Sequence, residues 1–116
     1  MATSSRSSRD VGRDVSLARK VQALVAGIDD PRVRVDVMST VNFLYSLFVR
    51  GKVSEEEVFR DLVDVCSTVI RLSEPGLAEE EVRDRASSIA DGLLTAMKVE
   101  GLSRRALYRY LTRTSL

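Results

Sequence analysis

Arginines at four-residue spacing are the side chains of this sequence best suited to chemistry with a partner. Arg105, Arg109 and Arg113 recur near the C-terminus with Arg104 beside them, and on a helix that spacing gathers three guanidiniums on one face. A stripe of this kind suits phosphate oxygens or base edges. At the other end Arg6, Arg9 and Arg13 stand among Ser4, Ser5, Ser7 and Ser8, a composition that can follow a phosphate backbone or enter a minor groove. Between these ends the chain is acidic: residues 51–100 hold six bases against twelve acids, whereas residues 101–116 hold four arginines and no acid. The formal net charge of +1 therefore conceals a basic, acidic, basic layout that points to an anionic partner at the ends.

Other chemistries find little to work with. The sequence has no His and a single Cys66 in an apolar run, so it lacks the usual ligands of a zinc or copper site and the commonest general base at neutral pH. Cys66 reads as a small buried hydrophobe. Gly51 to Glu57 resembles the second half of an EF-hand loop, but the first half would place Ser46, Phe48 and Arg50 where a hard cation needs carboxylate oxygens. The triplets Glu55–Glu57 and Glu79–Glu81 occupy first turns of helices, where the macrodipole favours acids. No nucleophile, glycine-rich phosphate loop or GxSxG turn accompanies them. A non-enzymatic protein with no cofactor and no small-molecule substrate is expected.

The elements that must position the arginines are helices. A chain of 116 residues, with 44% hydrophobic residues and few aromatics, fits one domain over residues 14–116, preceded by a flexible basic arm over 1–13. Asp14 is placed to cap a first helix carrying Leu17, Val21, Leu24, Val25 and Ile28, ended by Gly27. Asp30-Pro31 opens a second, with Val37, Val41, Leu44 and Phe48 on its core face and Gly51 as its left-handed cap. Ser54 and Glu57 form a capping box for a third, with Val53 placed to staple against Val58. Its face is Val58, Leu62, Val65, Val69 and Leu72, and Pro75-Gly76 marks its exit. A fourth runs from about Ala78 to Val99 through Val82, Ala86, Ile89, Leu93 and Met97, with Gly101 ending it and Ser103 capping a short fifth. The prediction is an all-α antiparallel bundle of four to five helices, its core centred on Val21, Leu24, Val41, Leu44, Leu62, Val65, Ile89 and Leu93.

The segment Gly101-Leu102-Ser103-Arg104-Arg105-Ala106-Leu107-Tyr108-Arg109-Tyr110-Leu111 resembles the turn and recognition helix of helix-turn-helix DNA-binding proteins, the resolvase and tetracycline-repressor types in particular. The likeness covers about eleven residues, and its C-terminal position agrees with the resolvase type. It departs from the motif at Met97, where such proteins carry Ala so that the helices can cross closely. The resemblance implies a last helix that packs by Leu107 and Leu111, with Tyr108 and Tyr110 flanking, and offers arginines to DNA.

Two functions are expected from these readings. The first is nucleic-acid binding, with duplex DNA as the target, through Arg6, Arg9, Arg13, Ser103, Arg104, Arg105, Tyr108, Arg109 and Arg113. The second is an assembly role as a subunit of a nucleoprotein complex or virion coat, or as a homo-oligomer, for which apolar residues outside the core faces such as Phe43, Leu47, Phe59 and Val63 would speak. No apolar run approaches the length of a membrane span and the N-terminus has no signal-peptide core, so an intracellular site, cytoplasmic or nucleoid-associated, or a virion is expected. Fifteen Arg against three Lys, with Asn42 and Gln22 the only side-chain amides, is a thermophile-like composition.

Overall fold

The computed structural model describes residues 16–114, with the side chains at 103, 105–110 and 112–114 outside that description. The expected arm and the expected Asp14 cap lie outside the described residues. Within them the chain forms four helices: α1 (Leu17–Val25), α2 (Pro31–Val49), α3 (Glu55–Ser73) and α4 (Glu79–Thr114).

Both ends of α2 and the start of α3 are set by local chemistry. Asp30 accepts a hydrogen bond from the Arg32 backbone N–H at 2.9 Å, and Pro31 occupies the first helical position, where a missing N–H is harmless. At the other end Gly51 takes φ 73°, its N–H bonds the Phe48 carbonyl, and the Lys52 N–H bonds the Leu47 carbonyl, which makes a Schellman motif. The capping box then forms as expected. The Glu57 N–H donates to Ser54 Oγ at 3.1 Å, and the Ser54 N–H donates to Glu57 Oε1 at 3.0 Å. Val53 is partly buried against the core that contains Val58.

The helices alternate in direction. Glu79 pairs with Arg71 and Glu74 with Arg85 at the α3–α4 turn, each at 2.7 Å, while Lys98 pairs with Glu55 at 3.5 Å at the far end, so α3 runs antiparallel to residues 79–98 of α4. The start of α1 meets Glu100, and Gly27, just past its end, lies against Ser73. The end of α2 packs by Phe48 and Val49 on Gly101. A single core of Val21, Val41, Leu44, Phe48, Val58, Leu62, Cys66, Val82, Ala86, Ala90, Leu93, Ala96 and Met97, among others, fills the space between them.

Three expectations are corrected. Helix four does not stop at Gly101: α4 continues through it to Thr114, so no separate short C-terminal helix forms among the described residues, and Ser103 is a helix-interior position rather than a cap. Val65 and Ile89 flank the core instead of centring it, because small residues, Cys66 on α3 and Ala86 and Ala90 on α4, take the innermost places where those two helices pack together. Leu72 is 58% exposed, since the register carries it off the stripe of Leu62, Cys66 and Val69. Burial pushes the Cys66 thiol up to about 12.

Two predictions follow from the helix ends. Ser54→Ala removes one half of the capping box and should lower unfolding free energy by about 0.5–2 kcal/mol in urea denaturation. Acid should act through Glu57, Glu74 and Glu79. Hydrogen bonds from the Ser54 backbone, from Arg85 and from Arg71, respectively, hold these carboxyls below their ordinary value. A carboxylate depressed in the folded state contributes stability above its unfolded value, and that contribution disappears as pH falls through the folded value. Melting temperature should therefore begin to fall as pH drops below about 4.5. Glu79→Gln should lower it at neutral pH and converge with the unsubstituted protein in strong acid; an equal difference at every pH would contradict the assignment.

Candidate functional site

Beyond Lys98, α4 leaves the cover of α3 and its neighbours become the start of α1 and the end of α2. Helical register at about 100° per residue carries the bundle-facing line of Leu93 and Met97 on to Glu100, Arg104 and Leu111. These three side chains form one wall of a cleft of about 600 Å³ whose other walls are Leu17 and Ala18 of α1 and Asn42, Tyr45, Ser46, Val49 and Arg50 at the end of α2.

Glu100 does structural work here. The Ser16 side chain makes no capping hydrogen bond, and α1 has no acid in its first turn. Instead the Leu17 N–H donates to Glu100 Oε1 at 3.0 Å, across 83 residues of sequence. A carboxylate at that position satisfies an otherwise orphaned donor and faces the positive end of the helix dipole. Arg104 lies over the Tyr45 ring at 5.6 Å from its centroid, within cation–π range.

Tyr45 itself is 9% exposed, and its hydroxyl, buried among the described residues, has no hydrogen-bond partner. Burial pushes its pKa upward; Arg104, close to the phenol oxygen but outside hydrogen-bond geometry, opposes the shift, and Glu100 reinforces it. The phenol therefore keeps its proton at neutral pH.

Of the residues expected to meet nucleic acid, only Arg104 has a described side chain, and it sits on the bundle-facing line over Tyr45. Positions 105, 109 and 113 lie within α4 at successive steps of four, off the line of positions 93, 97 and 104. The side chains of Ser103, Arg105, Tyr108, Arg109 and Arg113, and the whole of Arg6, Arg9 and Arg13, lie outside the described residues. Leu111 lines the cleft but keeps 55% of its surface exposed.

The helix-turn-helix expectation is overturned by the backbone. That motif needs a turn at Gly101, and α4 is continuous from Glu79 to Thr114. Met97 is fully buried in the core, and a Cβ placed on Gly101 would stand 3.5 Å from the Phe48 ring, an ordinary van der Waals distance. The glycine thus lies inside a helix with room for a methyl group.

Tyr45, Glu100, Asn42, Ser46 and Arg50 belong to this site and were not among the expected binding residues. Their signal was the Glu100–Arg104 spacing, which extends the Leu93–Met97 line by one further turn provided that the helix is not ended at Gly101.

Gly101→Ala supplies the test of continuity. In an unbroken helix it should raise stability by about 0.5–1 kcal/mol, because alanine is the better helix former and the added methyl meets no obstacle. Measured by thermal or urea unfolding, a loss of more than 1 kcal/mol would mean that the chain turns there. Comparison of the chain with protein-family models, with curated proteins and with solved structures finds no match, so the case for a function rests on the chemistry of the chain itself.

Proposed function

We propose that the protein binds nucleic acid without base specificity, through the basic end of α4 and the basic N-terminal segment, while the four-helix core serves as scaffold. The observation that carries the reading is a 36-residue helix whose last turns, beyond the reach of the 19-residue α3, hold four arginines and no acid. At 1.5 Å per residue α4 is about 54 Å long and α3 about 28 Å. Arg105, Arg109 and Arg113 are the phosphate-contacting residues of this reading, with Arg6, Arg9 and Arg13 adding to them, and the mechanism is charge neutralisation with release of counterions. Arg104 is partly engaged with Tyr45 and contributes less. Sequence readout is no part of the proposal, since the turn that would orient a recognition helix is missing.

A second reading, as an assembly subunit, is favoured by exposed apolar side chains. Phe43 is 63% and Val35 59% exposed on α2, although Leu47, Phe59 and Val63, which were expected to be equally open, are half-buried.

Fluorescence anisotropy with labelled duplex DNA, single-stranded DNA and RNA over a salt series, beside a mass measurement in solution, separates the two. Affinity should fall steeply with salt, and replacing Arg105, Arg109 and Arg113 together with Gln should flatten the log–log slope by about two to three units. Deleting residues 1–13 should flatten it further. No binding at low salt, or a slope unmoved by these changes, would remove the nucleic-acid reading, and a stable oligomer under those conditions would favour assembly.

A further inference from the structure

The basic segments stand at opposite ends of the sequence, and the fold returns them to one place. The Leu17 N–H donates to Glu100 Oε1 at 3.0 Å, which joins the first residue of α1 to the last acid of α4, the point beyond which only arginines carry charge. Arg13 precedes Leu17 by four residues, so its backbone lies within about 14 Å of that amide whatever path the chain takes. Arg104 follows Glu100 by one turn, about 6 Å along α4. There Gly101 packs on Phe48 and Val49, and Arg104 stands over the Tyr45 ring, all at the end of α2.

One side chain closes this junction. Ser16 makes no capping hydrogen bond and α1 has no acid in its first turn, so Glu100 is the acceptor that ends α1 at Leu17. Without it the first turn would fray, and the point at which the preceding basic segment leaves the bundle would shift with it. The charge of Glu100 opposes a polyanion, so what it contributes to a nucleic-acid site is position.

We propose that Glu100 is a positioning residue, which sets the basic N-terminal segment beside the basic end of α4 so that both engage one nucleic-acid molecule rather than bridging two. The inference rests on the nucleic-acid reading. Two cationic segments that start from one junction make the second contact with a polyanion intramolecular, which raises affinity without any added contact.

The test separates position from charge. Glu100→Gln removes the charge and keeps an acceptor for the Leu17 N–H, whereas Glu100→Ala removes both. In fluorescence anisotropy of the full chain with a short labelled duplex at low salt, Glu100→Gln should bind at least as tightly as the unsubstituted protein. Glu100→Ala should bind about three- to tenfold more weakly than Glu100→Gln, although the two carry the same charge. Deleting residues 1–13 should lose less affinity in Glu100→Ala than in the unsubstituted protein. Because Glu100→Ala also uncaps α1, Ser16→Asn is added to it: asparagine supplies a local cap without restoring the link, so helicity measured by circular dichroism should return while the binding defect remains. With duplex in excess, the complex should contain one duplex per chain by mass. Failure of the unsubstituted protein to bind would remove the nucleic-acid reading and this inference with it. Equal affinity of the Gln and Ala variants, recovery of binding with Ser16→Asn, or two duplexes per chain would overturn the role of Glu100 and leave that reading in place.

Discussion

The continuity of α4 through Gly101 decides how the turns beyond it meet α1 and α2. A glycine inside a helix costs about 1 kcal/mol relative to alanine, and followed by Leu-Ser it would ordinarily invite the chain to turn. Here it is buried, with Phe48 and Val49 against it, and the helix hydrogen bonds run on either side. Because α4 stays continuous, the line that buries Leu93 and Met97 delivers Glu100 to the first N–H of α1 and Arg104 to the Tyr45 ring. A turn at Gly101 would remove both at once, and with them the wall of the cleft. The capping of α1, the environment of Tyr45 and the direction of the terminal arginines thus share one cause.

That cause depends in turn on how closely α3 and α4 approach. Cys66, Ala86, Ala90 and Ala96 are fully buried, and small side chains at a helix contact let the axes come together, leaving the large residues Leu62, Leu93 and Met97 to fill the space beside them. The charged pairs at the two ends, Arg71–Glu79 with Arg85–Glu74 and Lys98–Glu55, lie on the surface, where each adds little stability. Packing sets the spacing, and the exposed pairs are consistent with the register it gives. With both fixed, α4 outruns α3 by its final turns and reaches the neighbourhood of α1 and α2.

Much of this was legible in the residues, and what was not has a common explanation. Asp30-Pro31, Gly51, the Ser54–Glu57 box and Pro75-Gly76 are local signals, decided within a turn of backbone, and all four appear in the structure as read. Gly101 carries the same kind of signal, yet α4 runs through it with Phe48 and Val49 beside it, neighbours that a local reading does not supply. Aliphatic bulk at the helical period points to Val65 and Ile89, whereas closeness of approach between α3 and α4 favours Cys66 and Ala90. The cleft was invisible for a similar reason. Its capping carboxylate lies 83 residues from the N–H it satisfies, and Tyr45 reads as an ordinary flank of an apolar helix until its hydroxyl is seen to lack a partner.

The helical register divides the terminal arginines between two environments. Positions 105, 109 and 113 are successive steps of four along α4, while 104 lies on the line that carries Leu93 and Met97. In the nucleic-acid reading, a phosphate backbone that follows positions 105, 109 and 113 need not displace Arg104 from Tyr45, so the cation–π contact and the salt-dependent binding can be tested separately.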